Sequence, residues 1–591
     1  MKKRFLAGIL VCLLLTGCGP RRTEVLAQEP VAEGPTIAYV PLDDRPDNVE
    51  RVVYLAQSLG YQLAMPEPVS YHTALDGQPK NYGSLQCGDP WSLYTWVLEQ
   101  ETKGCDRYIL SMDQLLSGGL VSSRSISEDE VPISGGGTTS SSGLLAHLLE
   151  ALAEDGDNVV WLLDSVMRLA PTVGYEGGTL EEYEALRSYG IEPRPELSGE
   201  TLTLESVTAD YRLDGSGAPL DPADFGLTEA RVEQYLAARE RKLRLTEQML
   251  EMVAGEGYEA FRVLIGIDDS SAETCIQKNE IALLRRGLRD GDALLSGVDD
   301  LAFKAVAKLY LEESGWQGAS AAVTYFGGTE DRPACAYDFQ PLTEILEEHL
   351  AFFGLEAEEA AAADLQVLVL TQPEDPGQAE RYCRELVEVL KSGEDGGVPT
   401  ILIDAGNGAY GTMFHEMLTE KVQLGRLISY AGFLDMAIVT GTALSHGVAR
   451  YAFLQNGTDT AVTERAFLRT VADSILKDFC YKHIVREDLL GYIRNDLGGD
   501  PNNFWLPDID RGAILERLEQ GMAEATKPVL RNLERSNFLT GPGPEHTEKG
   551  WGGIALEDYR FPWDRAFEIG MDIRLGESTA PHQRYFGFYI R

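Results

Sequence analysis

The chain of 591 residues is 44% hydrophobic and 25% charged. It is too long for one core, it holds apolar material for two or three, and it is neither disordered nor fibrous. Its 51 basic and 94 acidic residues give a formal net charge of -43, and a surface that negative repels phosphate backbones, so nucleic acid is not an expected partner.

At the N-terminus, Lys2, Lys3 and Arg4 precede the apolar run from Phe5 to Leu15 and then Thr16-Gly17-Cys18. This is the layout of a secretory leader; the run is too short to span a bilayer, which takes about 20 apolar residues. Leu15-Thr16-Gly17-Cys18 resembles a bacterial lipobox, in which the cysteine becomes lipidated and forms the mature N-terminus. The expectation is an extracytoplasmic protein tied to the bacterial cell membrane by a lipid on Cys18, with 1–17 as signal peptide and the polar stretch 18–34 as tether. Beyond Cys12 in the leader and Cys18, the cysteines Cys87, Cys105, Cys275, Cys335, Cys383 and Cys480 are scattered and never form C-x-x-C. They read as small buried hydrophobes, with a Cys87–Cys105 bridge left open.

Short apolar runs follow, most ending in polar or acidic residues and leading into helix-like stretches. They are Ile37–Leu42, Tyr61–Met65, Arg107–Ser111, Val159–Leu163, Phe261–Ile267, Ala293–Ser296, Ala321–Phe326, Leu365–Leu370, Thr400–Ile403 and Leu427–Tyr430. Continuous apolarity predicts strands covered on both faces, hence parallel α/β architecture. Ten strands exceed one eight-stranded barrel. The chain divides into a TIM-barrel-like (β/α) domain over 35–315, a smaller doubly wound α/β domain over 316–455, and a helical then aromatic-rich region over 456–591; two doubly wound domains are the alternative. Ser134–Gly143 and Ile191–Gly226 read as surface excursions, and Leu227 to Ala254 as a long amphipathic helix capped by Thr228.

Ligands of parallel sheets bind at the carboxyl ends of the strands, and those ends are acidic: Asp43-Asp44, Asp113, Asp164, Asp268-Asp269, Asp299-Asp300 and Asp404. A single strand-end Asp commonly caps the next helix. Several gathered in one crevice would raise one another's pKa, which suits general acid catalysis, or would offer hard oxygens to a divalent cation. Asp268 and Asp269, with Asp299 or Asp300, are the candidate catalytic residues. Asp43, Asp44, Arg45, Asn48, Asp113, Arg124, Asp404 and Asn407 are candidate substrate binders. The eight histidines include no pair at zinc-ligand spacing, and G-x-S-x-G and P-loop signatures are absent. Gly406-Asn407-Gly408-Ala409-Tyr410-Gly411 matches G-x-G-x-x-G, with Asp435 beyond it. An exported protein has no evident nicotinamide supply, so the segment reads as a strand-to-helix turn, and neither cofactor nor metal is expected.

Two resemblances add to this reading. Gly266-Ile267-Asp268-Asp269 resembles the paired aspartates ending a barrel strand in the O-GlcNAcase type of hexosaminidase, which implies that one polarises an acetamido group and the other is the acid. Several segments spread along the chain resemble a bacterial family known as domain of unknown function 4127. They are Pro41-Leu42-Asp43-Asp44-Arg45-Pro46 with Asn48, Ser111-x-Asp113, Gly118-Gly119-Leu120 with Ser123-Arg124, Gly266-x-Asp268-Asp269, Gly297-x-Asp299-Asp300, Tyr430-Ala431-Gly432 and Phe561-Pro562-Trp563-x-Arg565-x-Phe567-Glu568. Two departures stand out: Asp299-Asp300 where the family tends to Asp-Glu, and Phe433-Leu434-Asp435 where it tends to Trp-Asn-Thr. The resemblance implies no settled activity. The functional expectation is a surface-anchored enzyme acting on an extracellular glycan or small carbohydrate, a glycoside hydrolase using Asp268 and Asp269. A non-catalytic sugar- or polyol-binding lipoprotein and a metal-dependent hydrolase remain open.

Overall fold

Each of the ten apolar runs overlaps a strand in the computed structural model, which describes residues 28, 31, 34–81, 85–133, 136–272, 275–432, 436–506, 508–536, 538–539 and 550–577. The signal peptide, nearly all of the tether, the lipidation residue Cys18, and Phe433-Leu434-Asp435 lie outside the described residues. The strands of the first sheet are β1 (Thr36–Val40), β2 (Gln62–Ala64), β3 (Arg107–Ser111), β4 (Val159–Val166), β5 (Phe261–Ile267) and β6 (Ala293–Ser296). Those of the second are β7 (Ala319–Phe326), β8 (Leu355–Ala357), β9 (Leu365–Leu370), β10 (Thr400–Asp404) and β11 (Leu427–Gly432). β8 is an extra strand, too short and polar to stand out as an apolar run. An antiparallel hairpin of β12 (Trp551–Arg560) and β13 (Gly570–Glu577) lies in the aromatic-rich C-terminal region.

The runs look uniformly apolar because both faces of each strand are buried. In β1, Ile37 and Tyr39 enter one core while Ala38 and Val40 enter another. In β9, Leu365, Val367 and Val369 share the first of these cores, and Leu368 and Leu370 enter a third. One apolar core therefore runs between the two sheets. The helices Leu301–Glu313 and Met436–Asn456 contribute Ala305, Val306, Val439 and Val448 to it.

The barrel expected over 35–315 is replaced by an open sheet. The six strands pair in the order β2-β1-β3-β4-β5-β6, all parallel. The second sheet runs β8-β7-β9-β10-β11, again parallel. Closure needs strands laid down in chain order with helices outside. Here the second strand of each sheet pairs outside the first and the third returns to its other side, which sends crossovers to both faces. The two-doubly-wound alternative describes the sheets. In such open sheets ligands bind outside the carboxyl ends of the strands where strand order reverses, here β1 and β3.

Other expectations resolve simply. The long amphipathic helix spans Glu229–Val253, and its Thr228 cap accepts the Arg231 N–H at 3.3 Å. Cys87 and Cys105 are free thiols. Among the described residues, no helix is long and apolar enough to cross a membrane.

Gly266 shows why a small residue precedes the Asp268-Asp269 pair. A Cβ there would lie 2.4 Å from the Gly297 carbonyl and 2.9 Å from the Val298 Cα, both backbone atoms that cannot rotate away. Gly266→Ala should therefore cost about 1–3 kcal/mol, read as a fall in melting temperature; an unchanged melt would overturn this packing argument.

Candidate functional site

The carboxyl ends of the first sheet open into a cleft of about 530 Å³, within the usual range for small-ligand sites. Its wall combines loops after β1 (Arg45), β3 (Arg124), β4 (Arg168, Thr172), β5 (Asp268, Asp269) and β6 (Asp299) with Asn407 from beyond β10. Further lining comes from Tyr183, Tyr337, Asp338, Arg486 and the C-terminal segment with Trp563, Arg565, Phe567 and Glu568.

The loop after β1 folds on its own aspartate. Asp43 Oδ1 accepts the Arg45 N–H and the Asn48 side-chain N–H, both at 3.0 Å. The Arg45 guanidinium returns to Asp43 Oδ2 at 2.7 Å and reaches Asp299 Oδ1 at 2.5 Å. It lies 5.0 Å from the centre of the Trp563 ring. Burial pushes the Asp43 carboxyl above its ordinary value even with Arg45 opposing. Asp44 is held by His72 and by the Trp563 indole N–H at 2.6 Å.

Arg124 is aimed by a tight turn. Gly118 and Gly119, at φ of 76° and 131°, join the helices Met112–Ser117 and Leu120–Ser123 in a backbone conformation that other residues rarely adopt. Its Nη2 and Nε then reach Asp268 Oδ2 at 2.5 and 3.0 Å, and its Nη1 donates to Thr172 at 2.9 Å. Asp268 Oδ1 accepts the Asp269 N–H at 2.9 Å. Asp268 thus accepts from three donors, an arrangement that fixes Arg124. Asp269 differs: Oδ2 meets Arg168 at 3.1 Å, and its side chain is 22% exposed to the cleft. Arg168 Nη2 also donates to the Tyr183 hydroxyl oxygen at 3.0 Å, and the guanidinium lies 5.2 Å from that ring's centre.

Glu568 enters from the far end of the chain. It is 3% exposed, and its Oε1 accepts the Asp47 N–H at 3.1 Å. Burial first, then the neighbouring Asp47 charge, push its carboxyl up to about 8. Beneath it lies an ion network. Arg51 meets Asp47 at 3.1 Å and Asp473 at 3.2 Å, and Lys477 meets Asp473 at 3.2 Å. Lys477 belongs to the stretch Ile475–Val485, wound as a π-helix, a form that often marks functional positions.

Of the sequence-derived candidates, Arg45, Arg124, Asp268, Asp269, Asp299 and Asn407 line the cleft, while Asp43, Asp44, Asn48, Asp113, Asp300 and Asp404 do not. Asp113 is buried with Asp164 on Lys242, 2.6 Å from its Nζ. Asp300 pairs with Lys304 at 2.9 Å against Gly441, with burial lifting its carboxyl to about 6. Asp404 faces His415 at 3.3 Å below the glycine-rich turn, in which Asn407 adopts φ 45°. Trp161 is fully buried, and of Trp91, Trp96 and Trp161 none lines the cleft; Trp563 does. Among the described residues, no group of three His, Cys, Asp or Glu side chains is arranged to hold a metal ion. The strand-end rule overlooked Arg168, two residues past β4. Arg565 and Glu568 were visible only inside the Phe561 to Glu568 segment.

Fold and site together define a two-sheet, doubly wound α/β protein with a cleft lined by arginine–aspartate pairs and aromatic rings. The chain belongs to the family described as protein of unknown function (DUF4127), whose model matches residues 37–572. No curated protein and no solved structure matches the chain.

Proposed function

We propose that the protein is a carbohydrate-active enzyme, a glycoside hydrolase working in this cleft and held outside the cell by the lipid on Cys18. The observation that carries the reading is the Glu568 carboxyl, pushed up to about 8 in a cleft where Asp269 sits beside Arg168. Two carboxyl groups in unlike environments are what acid and base roles require. Glu568 gives its proton to the glycosidic oxygen as the bond to the anomeric carbon breaks. Asp269 serves that carbon, as nucleophile or by taking a proton from the incoming water. Asp268 and Asp299 hold Arg124 and Arg45 in place, so their part is positioning. Trp563, Tyr183 and Tyr337 offer faces to sugar rings.

A panel of aryl-glycosides incubated with the purified chain tests this. Release of the aryl alcohol is expected, falling at least 100-fold in Asp269→Asn. A second reading, a non-catalytic sugar or polyol binder, draws on the paired donors and acceptors along the wall, which suit hydroxyl groups. Saturable binding of a sugar with no product from any glycoside would favour it.

A further inference from the structure

Three arginines of the cleft have acid partners: Arg45 with Asp43 and Asp299, Arg124 with Asp268, and Arg168 with Asp269. Arg565 has none. Its guanidinium makes no ion pair or hydrogen bond to any described residue, and its Nε is buried. The surroundings are hostile to it: burial first, then Arg168 and Arg45, and last Arg124 lower its affinity for its proton, to about 10, with the Asp500 carboxylate opposing them. Arg486, on the same wall, also has a buried and unpartnered Nε, and its acid contact is Glu487 at 3.9 Å. A half-buried guanidinium with no ion pair among the described residues is under-compensated, and a ligand that supplies an opposing charge removes that cost.

We propose that the cleft contains an anion subsite centred on Arg565, taking the carboxylate of an acidic sugar. One unmatched guanidinium offers a planar fork and a single charge, which fits a carboxylate in both shape and charge. Glu568 does not oppose this, since at neutral pH it holds its proton. The chain as a whole carries -43, so an anion arrives against the long-range field and is held by local contacts. The inference rests on the cleft being the ligand site, and does not depend on hydrolysis.

Thermal melts of the full chain at pH 7 and constant ionic strength, with sodium D-glucuronate, D-glucose or inorganic phosphate, provide the test. Glucuronate is expected to raise the melting temperature saturably, with glucose inert and phosphate weaker. Arg565→Gln should lose the glucuronate response yet melt no lower than wild type, because it removes a half-buried cation that has no ion pair among the described residues; Arg565→Lys should keep part of the response. The proposal is overturned if wild type ignores glucuronate, if Arg565→Gln responds as wild type does, if it melts several degrees lower, or if phosphate outperforms glucuronate. A glucuronate shift without glycoside turnover would sink the hydrolase reading and leave the subsite, whereas turnover without the shift would do the reverse.

Discussion

Glu568→Gln is expected to lower kcat on any glycoside turned over in the cleft by about 10²–10⁴-fold, because the amide has the shape of the acid and no proton to give. In wild type, kcat/KM should fall as pH rises through about 8, where Glu568 loses its proton. The same substitution has a stability readout that needs no substrate. A carboxyl whose pKa is raised in the folded state favours folding fully below its unfolded value, near 4.3. That contribution is lost as pH climbs through the folded value, about 8. The gap corresponds to a few kcal/mol. Wild type and Glu568→Gln should therefore melt alike near pH 4 and diverge above it, the glutamine variant being the more stable at pH 9. Asp47 acts with the opposite sign, since Arg51 and Lys477 hold its carboxyl below the usual range despite burial, and its share is common to both proteins. Melting curves that stay parallel from pH 4 to 9 would mean that the Glu568 carboxyl titrates alike folded and unfolded and is ionised at neutral pH, and would remove it as the proton donor.

The strands are legible because a strand buried on both faces leaves an apolar run that an amphipathic helix does not. Their order is not. Whether β2 pairs outside β1 or follows it around a barrel depends on which side each crossover helix takes, and that is a matter of long-range packing: the helix Glu50–Ser58 enters the core shared with the second sheet, whereas the helix Pro90–Thr102 enters the core on the other face. The acidic strand ends are legible too, and they are ambiguous for a similar reason. Asp268 and Asp113 lie one and two residues past β5 and β3, yet the first lines the cleft and the second is buried away from it. What separates them is Lys242, reaching from a helix to hold Asp113 and Asp164. Arg565 and Glu568 escape strand-end reasoning altogether, because they follow no strand of either sheet and reach the wall through the C-terminal segment between β12 and β13.

Lys242→Met puts that distinction to a direct test. The lysine is buried, its Nζ lies 2.6 Å from Asp113 and against Asp164, and the two carboxylates raise its pKa even though burial opposes them. Removing it leaves two carboxylates in one dry site, with hydroxyl donors from Ser165 to Asp113 at 2.7 Å and from Thr246 to Asp164 at 2.6 Å. Stranding a buried charge in this way costs about 3–5 kcal/mol, so the variant should melt far below wild type at pH 7. Acid should restore part of the loss, because each stranded carboxylate can then take a proton; so should adding Asp113→Asn and Asp164→Asn to Lys242→Met, which removes the repulsion without restoring the cation. If Asp113 instead waited for substrate, Lys242→Met would alter ligand affinity and leave the melt nearly unchanged. A loss below about 1 kcal/mol would return Asp113 to the binding residues, since a deficit that small is what an exposed pair gives.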